Sequence, residues 1–407
     1  MTRRSELAAL LEAGNGILRL APTWVPRDFC RPGRRLKLAP DDYYALGTNR
    51  GGITERWLAS TTAADNGPLT GANEGLSVVA GTTILLAEFV DELGADLIGS
   101  RLASAGAGWS AFAKLFDTAG PIPFHFHLGE HHATLIGKTP KPEAYYFPPQ
   151  LNGHLGETPY SYLGLQPGTT KSSVAELLAR FGDGDNEITR LSQAYRIIPG
   201  TGWDIPPGVL HAPGSACTYE PQGSSDVAVM CECLVDERSI SIDQLWRDVV
   251  PARRGDVDAI VEMLDWEANT DSNFAQTRFM VPLPTAKQFI GAIEEWIAYR
   301  SADFSATRLT VDPGASVTVT DSAAYGVLCV QGHGRFGGEA IESPSLIRFG
   351  DITHDEFFVS EAAAVNGVLV TNESSSEPLV LLKQFGPGNP DLTIDPLVRI
   401  DALGRLL

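Results

Sequence analysis

The sequence predicts a mostly β protein built from two small barrels or jelly rolls, with helices inserted into and between them. Three observations favour this fold class. Glycine and proline account for 41 and 27 of the 407 residues, and they separate short apolar runs as turns separate strands. The chain exceeds what one hydrophobic core normally supports, so two domains are expected. Two β-rich stretches flank a helical one, and closing each stretch into a barrel removes exposed sheet edges.

The order of elements follows from the periodicity of apolar residues. Helical spacing predicts a helix over 84–97 and a second, short one over 109–116. One more helix is predicted at 174–181, with Ser173 and Glu176 as its capping box. The strand-like runs of this part lie at 123–127, 144–147, 160–165 and 195–198.

Beyond a strand-like run at 226–234, two amphipathic patterns predict helices over 257–264 and 285–297. The turn signal at 312–314 predicts a hairpin between strands near 309–311 and 317–319. Further strands are predicted at 325–331, 357–359, 367–371 and 379–383. The expected organisation is a mixed N-terminal segment over 1–120 that contributes to the first barrel, a catalytic barrel over 121–235, a helical connection over 236–305 and a second barrel over 306–407.

Composition excludes several classes of partner. A formal net charge of −19 disfavours binding to nucleic acid and to anionic membrane surfaces. No run of 18 apolar residues occurs, and Glu6 and Glu12 interrupt the apolar N-terminal stretch, so we expect neither a membrane span nor a signal peptide. Five cysteines without paired spacing indicate buried thiols, although Cys231 and Cys233 would share one strand face. A cytoplasmic protein is expected.

Three histidines and one glutamate carry the chemistry. His125 and His127 are two residues apart on a predicted strand, so both side chains project from the same face. Glu143 follows about one hairpin later, and His211 supplies a third imidazole. Three nitrogens and one oxygen suit a divalent cation such as Zn, Mn, Fe, Co or Ni, and leave positions for substrate oxygens. The pattern predicts a metal-dependent enzyme, against the alternative of a solvated strand face.

Other polar residues give weaker signals. Only one of the adjacent His131 and His132 could join such a site, and a surface loop is the simpler interpretation for both. His154 lies in a predicted turn. Glu220 and Glu232 are further candidates for lining the pocket, whereas the run 145–147 is expected to be barrel core.

Taken in order, these motifs resemble those of the type I mannose-6-phosphate isomerases, which are two-barrel enzymes of the cupin superfamily. The resemblance runs from about Thr54 to His211 and more loosely to the end. It rests on Thr54-Glu55-Arg56-Trp57 beside the family's Gly-Glu-Ser-Trp, on Ala113-Lys114-Leu115-Phe116-Asp117 beside Lys-Leu-Leu-Asp, on Pro123 to His127 beside Ser-x-Gln-x-His, on Lys141-Pro142-Glu143 beside Lys-Pro-Glu, and on Pro206 to Ala212 beside Pro-x-Gly-x-x-His-Ala.

The resemblance implies a fold of two cupin barrels and assigns roles to individual residues. The family's metal ligands fall on His125, where it usually has glutamine, and on His127, Glu143 and His211. Its active-site lysine falls on Lys141, and Lys114 is expected to bind substrate. The implied cofactor is one divalent metal ion, zinc first, with manganese, iron, cobalt and nickel as alternatives.

Two departures from the family bear on the substrate. The serine implicated in holding phosphate is Pro123 here, and the arginine four residues after the Ser225-Asp226 pair is Met230. A hydroxyl and a guanidinium suited to phosphate or to a developing oxyanion are therefore missing. The second barrel keeps His333 and His354 but no His-x-His pair, so we expect it to be structural.

The resemblance implies aldose–ketose isomerisation of a sugar or sugar phosphate through a cis-enediolate, with Lys141 or a glutamate moving the proton. Two alternatives remain. One is a metal-dependent oxygenase or lyase, because three histidines and a glutamate also serve such cupins. The other is a sugar-binding protein without turnover, which Met230 in place of the arginine favours.

Overall fold

The computed structural model describes residues 2–106 and 108–400, and within them β-strands outnumber helices. The N-terminal half contains α1 (Arg3–Ala13), β1 (Ile17–Arg19), β2 (Thr23–Arg27), β3 (Gly52–Leu58), α2 (Leu86–Leu93), α3 (Ala95–Ser104), β4 (Ala111–Phe116), β5 (His125–Phe126), α4 (Glu130–Leu135), β6 (Glu143–Tyr146), β7 (Tyr160–Leu165), α5 (Lys171–Ala179), β8 (Ser192–Arg196), β9 (Gly202–Ile205), β10 (His211–Ala212), β11 (Thr218–Gly223) and β12 (Val229–Met230).

The C-terminal half begins with a small hairpin and short helices before the strands resume. It contains β13 (Leu234–Val235), β14 (Arg238–Ser239), α6 (Ile242–Trp246), α7 (Val257–Glu262), α8 (Trp266–Asn269), α9 (Phe274–Arg278), β15 (Phe279–Met280), β16 (Leu283–Pro284), β17 (Ala292–Ala298), β18 (Ser305–Val311), β19 (Ser316–Val319), β20 (Tyr325–Gln331), β21 (His333–Phe336), β22 (Glu339–Glu342), β23 (Glu356–Val359), α10 (Glu361–Asn366), β24 (Val368–Asn372) and β25 (Leu379–Phe385).

The strands form two barrel-like units, each made of two antiparallel sheets. In the first unit a seven-stranded sheet, β15-β9-β6-β11-β4-β3-β2, is joined by a five-stranded sheet, β12-β5-β10-β7-β8. In the second, a seven-stranded sheet, β1-β23-β20-β25-β18-β17-β16, is joined by a four-stranded sheet, β19-β24-β21-β22. The predicted fold class, mostly β with two jelly-roll barrels and added helices, is confirmed.

The N-terminal segment contributes strands to both units. Strands β2, β3 and β4 lie side by side in the first seven-stranded sheet, whereas β1 pairs with β23 of the second, with Leu18 opposite Phe358. Arg56 on β3 reinforces this connection, because its guanidinium contacts Asp355 at 2.7 and 2.8 Å and Glu356 at 3.0 Å. All three side chains are buried, so the two barrels share a polar connection away from solvent.

Two segments predicted as helices are strands. Residues 109–116 contain β4, in which every residue is buried, so a strand covered on both faces lacks the polar alternation that would reveal it. Residues 285–297 include most of β17. The helix prediction failed there because Glu294 is buried and points inward to Lys383. The helical spacing of apolar residues places this glutamate on the solvent face, whereas the strand places it inside the barrel.

Two local predictions were also wrong. The turn at 312–314 forms, with the Ala315 amide donating to the Asp312 carbonyl, but it connects two sheets: β18 pairs with β17 and β25, and β19 with β24. Helix α5 begins earlier than predicted, because Thr170 is its N-cap and exchanges hydrogen bonds with Ser173.

The interior of the second barrel is occupied by charged side chains. Lys383 lies between Glu294 at 2.6 Å and Asp321 at 2.8 Å, and all three are almost completely buried. Lys287 contacts the same two carboxylates from the edge of this cluster. The five cysteines are buried free thiols, as predicted. No helix in the described part of the chain is long and apolar enough to span a bilayer.

Candidate metal centre

Three histidines converge inside the first barrel. His125 on β5 and His211 on β10 are directly paired across neighbouring strands, and His127 lies just beyond the end of β5. All three are buried, and their candidate ligand atoms lie within 4.8 Å of one another. The ring centroids of His125 and His211 are 4.1 Å apart, and that of His127 is 5.0 Å from each.

Backbone carbonyls fix the orientation and tautomer of each ring. The Nδ1 atoms of His125, His127 and His211 lie 2.7, 2.6 and 2.8 Å from the carbonyl oxygens of Pro123, Val227 and Val209. A carbonyl only accepts, so each Nδ1 carries the proton and donates it. In the neutral imidazole Nε2 then carries the lone pair, as in a histidine that ligates a metal. The lone pair of His127 accepts from Lys141 Nζ at 3.0 Å, a contact that a bound metal would replace.

Glu143, at the start of β6, faces two of these rings. Its carboxylate oxygens lie 2.9 Å from His127 Nε2 and 3.1 Å from His211 Nε2. Neither Glu143 Oε1 nor His211 Nε2 has a hydrogen-bond partner, although both are buried. Lone pairs that face each other in a dry interior repel unless a cation lies between them, so this donor set fits a bound divalent metal.

Burial keeps His125 and His127 neutral. It lowers the pKa of His127 to about 3, with the nearby Lys141 ammonium acting in the same direction. Burial, together with the two other rings, holds the pKa of His125 well below its usual range. Burial acts to raise the pKa of Glu143, but the Lys141 charge outweighs it and holds that pKa well below its usual range. His125, His127 and Glu143 are therefore in the protonation states of metal ligands, two neutral imidazoles and an ionised carboxylate.

Seven buried or nearly buried side chains beside the histidines form a continuous row of alternating charge, which we call the ion-pair network. Five of them come one each from the five adjacent strands β2, β3, β4, β11 and β6. In spatial order the network is Asp226, Arg27, Glu55, Lys114, Glu220, Lys141 and Glu143, and the successive N–O distances are 2.9, 3.0, 3.5, 3.1, 3.3 and 2.7 Å. Each cation is flanked by two carboxylates.

A cavity connects the histidines with the ion-pair network. Its apolar wall includes Phe29, Phe116, Ile122, Tyr145 and Met230. A concave site on which charged groups with shifted pKa values converge beside apolar side chains is typical of small-molecule and active sites. The polar part of the wall consists of His125, His127, Arg27, Glu55, Lys114, Lys141, Glu143, Glu220, Asp226 and Arg247.

Glu220 lies at the centre of the network, between Lys114 and Lys141. Burial, followed by the neighbouring Glu143 charge, raises the pKa of Glu220 to about 8, although both lysines oppose the shift. Glu55 behaves differently: burial would raise its pKa, but Arg27 and Lys114 outweigh burial and lower it. The same wall therefore carries one permanently ionised carboxylate and one that titrates near neutral pH, a combination typical of acid–base sites.

The structure brings together the residues predicted for the site. His125, His127, Glu143, Lys141 and Lys114 all line the cavity, and His211 lies behind them. Their roles as ligands, active-site lysine and substrate-binding lysine stay predictions.

The weaker candidates separate clearly. Glu220 lines the cavity, whereas Glu232 does not and accepts a hydrogen bond from the Phe124 amide. His131 and His132 lie on α4 away from the cluster, and His154 is exposed. Tyr145, expected to be core, is both buried and part of the cavity wall.

Sequence reasoning missed the outer half of the ion-pair network. Arg27 lies in β2, where no motif drew attention to it, and Asp226 was considered only as part of a pair with Ser225. Glu55 lay within a quoted motif, but its inward orientation could not be inferred there. Along β2 and β3 every residue is buried, so alternation gives no signal of which side chain points to the cavity.

Among residues 2–106 and 108–400, the three histidines of the first barrel form the one group suited to a metal. The described part of the second barrel therefore has no comparable cluster. His333 is exposed, and His354 contacts Arg19 with its Nδ1 2.7 Å from the guanidinium. This barrel instead holds the Lys383 ion cluster.

Fold and site together define the class: a protein with the fold of two cupin barrels and a histidine cluster in the first of them. Searched against models of protein families and against curated protein sequences, the chain matches none.

Solved structures give the comparison. Over 91% of its length the chain is similar to the mannose 6-phosphate isomerase from Bacillus subtilis, with a TM-score of 0.61, 16% identity and 99% of that chain covered. It is likewise similar to a putative mannosephosphate isomerase from Archaeoglobus fulgidus. There the TM-score is 0.59 and the identity 15%, and the match covers 91% of this chain and 97% of that chain. The similarity to a zinc-bound mannose 6-phosphate isomerase has a TM-score of 0.59 at 11% identity, and it covers 91% of this chain and 100% of that chain. The resemblance to the type I mannose-6-phosphate isomerases is confirmed at the level of fold.

Proposed function

We propose that this protein is a metal-dependent sugar isomerase that interconverts an aldose and a ketose. The observation that carries the proposal is that the Nε2 atoms of three histidines come together beside the Glu143 carboxylate, next to a cavity that also contains a protonatable carboxyl group, Glu220. The fold of mannose 6-phosphate isomerases supports it. The substrate is a sugar or sugar phosphate in its open-chain form.

His125, His127, Glu143 and His211 would hold the divalent ion, with zinc as the first choice. When bound, such an ion polarises a carbonyl and stabilises the charge that develops on an enediolate, which contributes several kcal/mol to lowering the barrier. The protein's own share is to keep the imidazoles neutral and fixed through their Nδ1–carbonyl hydrogen bonds.

Isomerisation moves one proton between C2 and C1, so the cavity must contain a base that accepts it and returns it. Glu220 and Lys141 are the two candidates, and they contact each other at 3.3 Å. Of the two, Glu220 is our choice for the base, because its carboxyl group contacts two lysines and lines the cavity. Lys141 donates to Glu143 and to His127, so its role is to orient these groups and to donate a hydrogen bond to a substrate oxygen.

The test is exchange of the C2 proton with solvent. The full chain is stripped with a chelator, metal is restored, and aldoses, ketoses and their phosphates are incubated in D₂O. We expect deuterium at C1 or C2 of at least one sugar, measured by NMR, and none with the stripped protein. Absence of exchange across the panel contradicts the proposal. Stoichiometric iron with uptake of oxygen instead supports the oxygenase alternative.

A second function is favoured by one observation. Met230, paired with His125 across β12 and β5, lines the cavity where the resembling family has arginine. A sugar-binding protein that lacks turnover tolerates the loss of this guanidinium. Saturable binding of a sugar without any exchange of its C2 proton supports that function.

A further inference from the structure

The ion-pair network also bears on the charge of the substrate. We propose that the cavity is built for an unphosphorylated sugar and disfavours a sugar phosphate. This inference rests on the proposed isomerase function and specifies the substrate class of the same site.

Each cation that faces the cavity from the network already contacts a carboxyl group on both sides. Arg27 makes a two-point contact with Asp226, at 2.9 and 3.2 Å, and its remaining terminal hydrogens go to Glu55 and Asn66, each at 3.0 Å. Lys114 lies between Glu55 and Glu220. A phosphate dianion needs unshared N–H donors, and it is bound best by a guanidinium that offers a pair of them. Arg27 has no such pair left.

Lys141 contacts Glu143 and Glu220. If a metal ion occupies Glu143, Lys141 keeps Glu220 as its partner. Lys141 therefore still contacts a carboxyl group, that of Glu220, when Glu143 holds the metal.

At the end of the network away from the histidines, three carboxylates already share the available cations: Asp226, Asp65 and Asp248 contact Arg27, Arg247 and Lys138. Asp226 lies there with 11% of its side chain exposed, and the neighbouring Arg27 holds its pKa below the usual range, outweighing the effect of burial. Arg247 is the one further cation in the cavity wall. It donates to the Asp226 carbonyl at 3.0 Å and lies 3.5 Å from Asp65 and 3.8 Å from Asp248, while its Nε has no hydrogen-bond partner. A phosphate at this end would approach ionised carboxylates, which costs free energy in a poorly solvated cavity.

The same arrangement suits hydroxyl groups. A sugar hydroxyl both donates and accepts, so it can bridge a carboxylate oxygen and an ammonium that stand side by side. The inner face of β3, β4, β11 and β6 presents such pairs in sequence: Glu55 with Lys114, Glu220 with Lys114, and Glu143 with Lys141. Alternating donors and acceptors along a row match the successive hydroxyls of an open-chain polyol.

The experiment compares each sugar with its own phosphate ester. Exchange of the C2 proton in D₂O is measured for aldohexoses, aldopentoses and the corresponding terminal phosphates, using the full chain with its metal restored. We expect kcat/KM for the best unphosphorylated sugar to exceed that of its phosphate by about tenfold or more, and inorganic phosphate at tens of millimolar to leave the rate unchanged. A phosphate ester that reacts as well as or better than its parent sugar overturns this inference and leaves the isomerase intact. Exchange with neither overturns the proposed function and the inference with it.

A matched pair of variants tests the cause. Asp226→Asn removes the acidic group and releases Arg27, so the ratio of sugar to phosphate kcat/KM should fall by about tenfold. Asp28→Asn removes an equal charge from an exposed side chain next to Arg27 in the sequence and outside the cavity wall, and it should leave the ratio unchanged. Circular dichroism and thermal melting establish that both variants fold. If Asp226→Asn does not fold, inhibition of the wild type by inorganic phosphate decides, and competitive inhibition would overturn the inference.

Discussion

Glu143 Oε1 and His211 Nε2 lie 3.1 Å apart, both are buried, and neither forms a hydrogen bond. Two acceptors at this distance are unfavourable in an apolar interior unless a positive charge bridges them. Lys141 provides one nearby for His127 and the other carboxylate oxygen, but not for this pair. The contact is therefore where removal of a metal ion should be felt most.

Chelation should lower the stability of the first barrel. A metal present at a hundred times its dissociation constant adds about 2.7 kcal/mol to the free energy of unfolding, which corresponds to a fall in Tm of about 5 °C on its removal. Calorimetry with and without chelator, followed by re-addition of zinc, measures this. An unchanged melting curve would contradict binding at the histidine cluster.

Replacing a proposed ligand should reduce metal content. His211→Ala should bring zinc from about one ion per chain to well below one after dialysis, measured by elemental analysis. His131→Ala is the matched control, because His131 lies on α4 outside the cluster. Equal metal content in the two variants would argue against the proposed ligand set.

Glu220→Gln should separate chemistry from metal binding. The amide keeps the shape of the side chain but cannot accept a proton, so exchange of the C2 proton should fall by about 10²–10⁴ while metal content is retained. Glu232→Gln serves as the control, since that carboxyl is half-buried but faces away from the cavity. Full activity in Glu220→Gln would assign the proton transfer to Lys141.

The ion cluster of the second barrel should be structural. Asp321→Asn leaves Lys383 with a single carboxylate partner in a fully buried position, so the free energy of unfolding should fall by about 3–5 kcal/mol. Chemical denaturation measures it. The exposed pair Arg335–Glu373 provides the comparison, and Arg335→Gln should change stability by about 0.5 kcal/mol or less. A comparable small effect for Asp321→Asn would mean that the cluster contributes nothing to folding.

Glu232 should make stability depend on pH. Burial raises its pKa from 4.5 to about 7, so between these values the folded chain holds a proton that the unfolded chain has lost. The stabilisation is present below pH 4.5 and is lost as the pH rises through 7, by about 3 kcal/mol at most. Relative to the wild type, Glu232→Gln should show a smaller decline in unfolding free energy from pH 5 to 7.5. The exposed Glu339→Gln should follow the wild-type curve, and identical slopes for all three proteins would refute the assignment.

Much of the site was accessible from sequence because its spacing survives without tertiary information. Two histidines separated by one residue in an extended segment project from the same face. His125 on β5 and His127 just beyond its end accordingly both line the cavity. Glu143 and His211 were joined to this pair by their order along the chain, and the resemblance gave all four residues the same role. The paired register of His125 with His211 and the convergence of charges from five strands depend on sheet order, which local patterns do not contain.

The fold errors share a physical cause. Periodicity assumes that polar residues face water, and both missed strands violate that assumption. In β4 the buried Lys114 points to the cavity, and in β17 the buried Glu294 points to Lys383. Each charge is stabilised by a partner that is distant in sequence. The turn at 312–314 was recognised, but a turn specifies a reversal of direction and not which sheet the next strand enters.

The pairing of β1 with β23 has a consequence for biosynthesis. A ribosome releases residues 17–19 early, whereas their partner strand near Phe358 is among the later parts to emerge. Until then an unpaired edge strand and the apolar side chains of Ile17 and Leu18 are open to other polypeptides. The second barrel thus closes only after translation has passed β23, and the nascent chain is most in need of chaperone protection during that interval.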